Sequence, residues 1–257
     1  MEGTDTALRV NILGVGIDPL NMDSAIARVE SWIAKRSRSY SIFRDVHGVM
    51  RCQDDPELKR IHREAGMVTP DGMPMVWLSR AQSGLPVTRV YGPDFLEMFC
   101  RTTRGRGYRH FFYGAVPSTL EKLVAGVRKF APDIEIVGTL SPPFRSLAPE
   151  EVEAEIAEIN AAKPDIVWVG LSTPKQEIWM NTRSKRLNAS ALMGIGAAFD
   201  FVAGTKPQAP RWMQRNGLEW VFRFATEPRR LAGRYLRTLP LFAIMAAAQL
   251  SGLRRYD

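Results

Sequence analysis

Cysteine is scarce. Cys52 and Cys100 are the only two in 257 residues, far apart and outside any Cys-x-x-Cys pair. That excludes a disulfide framework and a thiolate zinc site, and it fits a reducing compartment. The three histidines, His47, His62 and His110, share no His-Glu-x-x-His or other paired spacing, so they read as structural or surface residues rather than ligands. No Gly-x-x-x-x-Gly-Lys-Ser/Thr loop is present, which argues against a P-loop nucleotidase. Gly14-Val15-Gly16 runs on into Ile17-Asp18-Pro19 instead of completing Gly-x-Gly-x-x-Gly, which weakens a dinucleotide-dependent oxidoreductase. Asp-x-Asp is missing as well, and with it the usual carboxylate clamp for a divalent metal on a nucleotide-sugar diphosphate. Long hydrophobic runs are also lacking. The longest largely apolar stretch, residues 239–253, falls short of the roughly 20 residues that span a bilayer. Residues 1–10 carry acids and no apolar core, so no secretory signal is expected. The expectation is a body in the cytoplasm.

Arginine is what the sequence has in excess. Net charge is +8, and nine arginines fall between Arg211 and Asp257 against three acids, Glu219, Glu227 and Asp257, with no lysine. The guanidinium fork binds phosphate bidentately where lysine acts as a point charge. A phosphate-rich partner follows: a lipid diphosphate, an anionic membrane or nucleic acid.

Upstream of that tail, short apolar runs at residues 8–15, 40–46, 109–114, 134–138, 165–171 and 191–196 read as strands buried on both faces. Between them, residues 22–35, 56–65, 93–104, 117–130 and 149–162 have helical spacing, several with proline in the first turn. The alternation predicts an α/β fold: a Rossmann-like, mostly parallel sheet sandwiched by helices. After Gly204 the pattern becomes helical and basic, with breaks expected at Pro228 and Pro240. The boundary is placed between a core of residues 1–205 and an arginine-rich appendage of residues 206–257.

Chemistry-bearing residues cluster at strand ends, where open α/β sheets bind ligands. Thr69-Pro70-Asp71-Gly72 puts an acid on a tight turn before a helix. Asp71 there suits a general base, or merely a helix cap. In Ser172-Thr173-Pro174-Lys175-Gln176-Glu177 a buried strand runs into a polar helix start suited to a phosphate or a uracil edge. A hydroxyl cap is the plainer account. Three glycine turns, Tyr91-Gly92-Pro93-Asp94, Tyr113-Gly114-Ala115 and Gly194-Ile195-Gly196 leading to Asp200, let backbone approach a ligand. In the tail, Arg211, Arg223, Arg229, Arg230 and Arg234 surround Trp212, Trp220 and Tyr235, followed by the apolar run between Arg237 and Arg254. Such a segment suits a membrane surface, or a core-packing helix with a solvated basic face.

These motifs in this order, with Pro174-Lys175-Gln176-Glu177, Gly217-Leu218-Glu219-Trp220 and Glu227-Pro228-Arg229-Arg230, resemble the WecG/TagA/CpsF family of glycosyltransferases (glycosyltransferase family 26) from about residue 10 to 235. The resemblance implies an enzyme that transfers a sugar, often of N-acetylmannosamine type, from a UDP-sugar to a polyprenyl-diphosphate-linked saccharide, with inversion and without metal or other cofactor. It implies that Asp71 is the base, that Gln176 lies at the donor site, and that the tail arginines bind diphosphate while the appendage docks on the inner face of the cell membrane. Exopolysaccharide, capsule or cell-surface glycan assembly is the expected setting. One departure is clear: the family's Thr-x-Asn is here Phe43-Arg44-Asp45. Phe cannot hydrogen-bond a substrate and Asp45 brings charge, so a plain hexose donor becomes an equal expectation. The competing expectation is a basic module that binds nucleic acid or an anionic membrane without catalysis. The aromatic and apolar tail favours lipid over nucleic acid.

Overall fold

The computed structural model of the protein describes residues 9–256, apart from the side chain of Arg234. An antiparallel hairpin comes first, β1 (Val10–Ile12) and β2 (Val15–Ile17). Sequence alone predicts one strand over residues 8–15; Leu8 lies outside the described residues, and the rest is reversed at Leu13-Gly14. Both turn residues have positive φ, 52° and 78°, and the Gly14 amide donates to Asn11 Oδ1 at 2.7 Å. The hairpin pairs only with itself and stands apart from the main sheet.

The main sheet has six strands in the order β4 (Met67–Pro70), β3 (Ser39–Arg44), β8 (Ala191–Gly194), β7 (Ile166–Gly170), β5 (Arg109–Gly114), β6 (Glu135–Leu140). Every pairing in it is parallel, so all six C-terminal ends share one edge. The expected α/β sandwich is what forms. Because side chains alternate across a strand, each apolar run feeds two cores. Ile166 and Trp168 enter one, with Phe112, Met193 and Phe43. Val167 and Val169 enter the other, with Phe111, Tyr113 and Leu192. The first core is covered by α1 (Met22–Lys35), α5 (Gly92–Thr102), α6 (Pro117–Phe130) and α9 (Ala198–Val202). The second is covered by the hairpin with α2 (Val46–Asp54), α3 (Pro56–Glu64), α4 (Met73–Ser83), α7 (Pro149–Ala161) and α8 (Lys175–Arg183). Each fully buried large apolar side chain contributes about 1.5–3 kcal/mol, and Trp168, Phe111, Phe112 and Phe199 are among the most deeply buried.

The isolated histidines are accounted for in part. Burial depresses His62 and His110 to about 3, so both are neutral structural groups. Trp168 Nε1 donates to His110 Nδ1 at 3.0 Å, which leaves the imidazole proton on Nε2.

The tail folds as α10 (Arg211–Arg215), α11 (Glu219–Thr226) and α12 (Pro228–Leu250). The expected break at Pro228 is there. The one expected at Pro240 is not, since α12 runs through it. Pro240 removes the bond to the Leu236 carbonyl, but both residues are exposed, so water can take that carbonyl. Phe242 and Ala246 meanwhile bury in the second core beside α2 and hold the helix on its course. Further along, Gln249 clamps the hairpin turn, accepting from Leu13 N at 3.0 Å and donating to Asn11 O at 2.8 Å. The apolar run is thus divided. Phe242 and Ala246 face protein, while Leu241, Ile244, Leu250 and Leu253 are exposed, as is Leu236 just before the run. No helix among the described residues is long and apolar enough to cross a membrane.

Candidate active site

A cavity of about 1030 Å³ opens along the C-terminal edge of the sheet, between the core and the tail. Asp71 follows the last residue of β4, and its amide donates to the carbonyls of Arg44 at 3.1 Å and Thr69 at 3.0 Å. It does not cap α4: the cap is Gly72, and no side chain bonds there. The carboxylate is free of that duty, lines the cavity and is 18% exposed. Its closest polar contacts are long, with Gly92 N at 3.5 Å and Arg89 Nη2 at 3.6 Å. Burial, with added repulsion from Glu219 and Asp45, raises the Asp71 carboxyl to about 7, against the opposing pull of Arg89 and the Gly92 amide.

Arg89 sits on the segment between α4 and α5, which runs beside β4 through Val90 N to Pro70 O at 3.0 Å. Its guanidinium lies 3.8 Å over the Tyr91 ring. Nε donates to the main-chain carbonyl of Asp71, and Nη2 donates to Glu219 Oε2 at 2.6 Å. Glu219 opens α11, so the tail reaches into the wall of the cavity.

The second wall is the β7–α8 junction. Glu177 is fully buried and accepts from Arg44 Nη2 at 2.5 Å and Thr173 Oγ1 at 2.9 Å. Burial would drive Arg44 neutral, and Glu177 holds it charged. Glu177 is therefore a scaffold residue beneath the cavity surface. Gln176 does face the cavity. Its Nε2 donates to Gly194 O at 3.1 Å, and its Oε1 is buried with no hydrogen-bond partner. Gly196 lies opposite with φ +51°, and a Cβ there would stand 3.3 Å from that oxygen. Glycine at 196 keeps this approach open. Gly114 answers to packing instead: φ is +119°, and a Cβ would meet the Gly170 carbonyl at 2.6 Å.

Of the residues singled out from sequence, Asp45, Asp71, Gly72, Lys175, Gln176, Gly196, Asp200, Arg223 and Arg230 share this one cavity. Thr69, Gly92, Gly114, Pro174 and Glu177 are not on its surface. Asp94 and Arg211 are not either; they pair with each other, Arg211 Nη1 contacting both carboxylate oxygens at 2.7 Å. Arg229 is exposed away from the cavity, and Arg234 lies on α12 with its side chain outside the described residues. Asp45 also has a structural task, capping α2 through Gly48 N at 2.9 Å. Phe43 packs edge-on against Phe95 at 5.3 Å. Sequence reasoning missed Arg89 and passed over Glu219. Glu219 stood inside a quoted motif but was counted only as an acid among arginines.

Residues 10–256 match the family model described as Glycosyl transferase WecG/TagA/CpsF family. The chain belongs to this family of glycosyltransferases. A glycosyltransferase brings a sugar donor and an acceptor together, and this cavity stands at the upper end of the ~300–1,000 Å³ typical of small-molecule sites. Both cations and acids line it: Arg89, Arg145, Lys175, Arg183, Lys206, Arg223 and Arg230 with Asp45, Asp71, Asp200 and Glu219. Arg223 lies 5.6 Å over the Phe201 ring, Arg230 pairs with Glu227, and Lys206 pairs with Asp200 at 3.0 Å. Among the described residues no group of three or more His, Cys, Asp or Glu side chains could hold a metal ion.

Proposed function

We propose that the protein is an inverting transferase that moves a sugar from a UDP-sugar to a polyprenyl-diphosphate-linked saccharide. The setting is the inner membrane face, in bacterial exopolysaccharide, capsule or cell-surface glycan assembly. The observation that carries this is Asp71, a cavity-facing carboxylate relieved of capping, raised to about 7, with Arg223 and Arg230 lining the same cavity. In a single displacement the acceptor hydroxyl forms a bond to the anomeric carbon while the bond from that carbon to the diphosphate oxygen breaks. Asp71 takes the hydroxyl proton, and UDP leaves with the bonding pair. A base near neutrality fits that proton transfer. Fixed guanidinium groups offset the growing charge on the leaving diphosphate, so that no metal ion is needed. Gln176 Oε1, buried and unpartnered, suits a donor hydroxyl or amide N–H.

Residues 206–257 act in this scheme as an appendage that completes the site and meets the membrane. Its outer face supports that role: Trp212, Leu236, Ile244 and Leu253 are 59%, 73%, 68% and 85% exposed, beside Arg237, Arg254 and Arg255. Apolar groups would enter the interface while arginines meet lipid phosphate. The test is UDP release with a panel of UDP-sugars and a polyprenyl-diphosphate acceptor, run with and without chelator. Wild type is expected to turn over in chelator, and Asp71→Asn to keep donor binding while losing about 10²–10⁴-fold in kcat. Near wild-type turnover by Asp71→Asn would remove it from the mechanism.

A further inference from the structure

We propose that Glu219 is a positioning residue that holds the Arg89 guanidinium off the Asp71 carboxylate, so that the C-terminal segment completes the acid–base group of the core. The inference rests on the assignment of Asp71 as the general base and names the residue that keeps it one.

Arg89 is fixed at three points. Nε donates to the Asp71 carbonyl rather than its carboxylate, the guanidinium plane rests on Tyr91 at 3.8 Å, and Nη2 ends on Glu219 Oε2 at 2.6 Å. The same Nη2 lies 3.6 Å from Asp71 Oδ1, well beyond the roughly 2.7–2.9 Å of a charge-assisted hydrogen bond. One nitrogen thus stands between two carboxylates and is bonded to the one from α11. Tyr91 OH, donating to Glu219 Oε1 at 3.2 Å, holds that carboxylate in place. The Glu219 and Arg89 side chains are each 16% exposed, so solvent screens the pair only partly.

The charged and titratable groups around Asp71 in the cavity come from three sides. Arg89 and Tyr91 belong to the segment before α5, Asp45 precedes α2, and Glu219 opens α11, with Arg223 one turn further on. Of the charges on Asp71, Glu219 and Asp45 raise its proton affinity and Arg89 lowers it. Asp45 is exposed and committed to its cap. Glu219 is the acid with a direct grip on the opposing cation. Without its charge, Arg89 Nη2 is free to close on Asp71, and a paired carboxylate is a weaker base.

The experiment is the pH profile of kcat/KM for wild type and Glu219→Gln. The acidic limb is expected to move to lower pH by about one unit, with kcat on the plateau reduced and KM for the donor little changed. Combined with Arg89→Gln, the Glu219→Gln shift should fall to less than half. Tyr91→Phe, which loosens Glu219 without removing charge, should move the limb the same way by less. A limb that stays in place in Glu219→Gln, or a shift undiminished without Arg89, overturns the inference and leaves the proposed function standing. Should wild type transfer no sugar at all, the proposed function fails. The inference is then judged by the pH at which the stability difference made by Asp71→Asn levels off, with and without Glu219→Gln. A fall of about one unit upholds it, and no change overturns it.

Discussion

Replacing Asp71 by asparagine should make the protein more stable while, on the proposed function, it lowers kcat. The folded carboxyl titrates at about 7, against roughly 3.9 in an unfolded chain, a difference of about 3 units. Each unit is worth about 1.36 kcal/mol, so holding Asp71 ionised in the fold costs up to about 4 kcal/mol. Water reaches the 18%-exposed side chain, which reduces the cost to about 2–4 kcal/mol. The sign follows from linkage: a carboxyl raised on folding contributes stability fully below its unfolded value, and that contribution is lost as pH rises through its folded value. The advantage of Asp71→Asn should therefore be smallest near pH 4, grow through about pH 7 and level off above it. For a chain of this size it should reach about 5–10 °C in Tm. Thermal melts of both proteins across that range, supported by urea unfolding, read it directly. A pH-independent difference, or a wild type more stable at pH 8, would refute the claim that Asp71 is held against its ionisation.

Two contrasts test the tail. Arg223→Ala should lower kcat by about 10²-fold or more with the fold intact, because it removes a preorganised cation from the cavity. Arg229→Ala, six positions on and exposed away from the cavity, should leave UDP release near wild type. On α12, Phe242→Ala should cost about 3–5 kcal/mol in urea unfolding, since Phe242 fills the core. Ile244→Asp, on the exposed face, should leave Tm within about 2 °C of wild type. It should weaken co-sedimentation with vesicles of anionic lipid by about 10-fold or more.

The parallel sheet was legible because strands buried on both faces read as unbroken apolar runs, as at Ile166-Val167-Trp168-Val169, and because proline marks the first turn of α3, α6 and α7. The hairpin was not, since one αL pair at Leu13-Gly14 reverses a run that otherwise looks like a single strand. Helix α2 was hidden for a related reason. Its Val46-His47-Gly48-Val49 opening has weak helical preference, and its cap, Asp45, stands where the family resemblance puts a substrate-contacting Asn. Gly48 is explained only in three dimensions: a Cβ there would collide with the Arg44 guanidinium, which lies buried against Glu177. Asp71 could be found as an acid at a strand end. Arg89 could not, because its value lies in a partner 130 positions away, and nothing local separates it from any other arginine.

The division of labour between core and tail answers a conflict within the site. In the proposed reaction a carboxylate that takes a proton near neutrality has to be kept out of strong ion pairs, yet a departing diphosphate needs cations close by. If those cations lay beside Asp71, its affinity for a proton would be lost. Here Arg89, the cation nearest Asp71, is bonded to Glu219. Arg230 is bonded to Glu227 on its own segment, and Arg223 feels Glu219 as its strongest charged partner. The acids of the tail, few as they are, thus restrain its arginines. On the proposed function an incoming diphosphate would compete for Arg223 and Arg230, the tail arginines that line the cavity among the described side chains, and leave the Glu219–Arg89 pair in place. Neutralising Glu227 should on this account tighten UDP binding, whereas neutralising Glu219 should instead weaken the base.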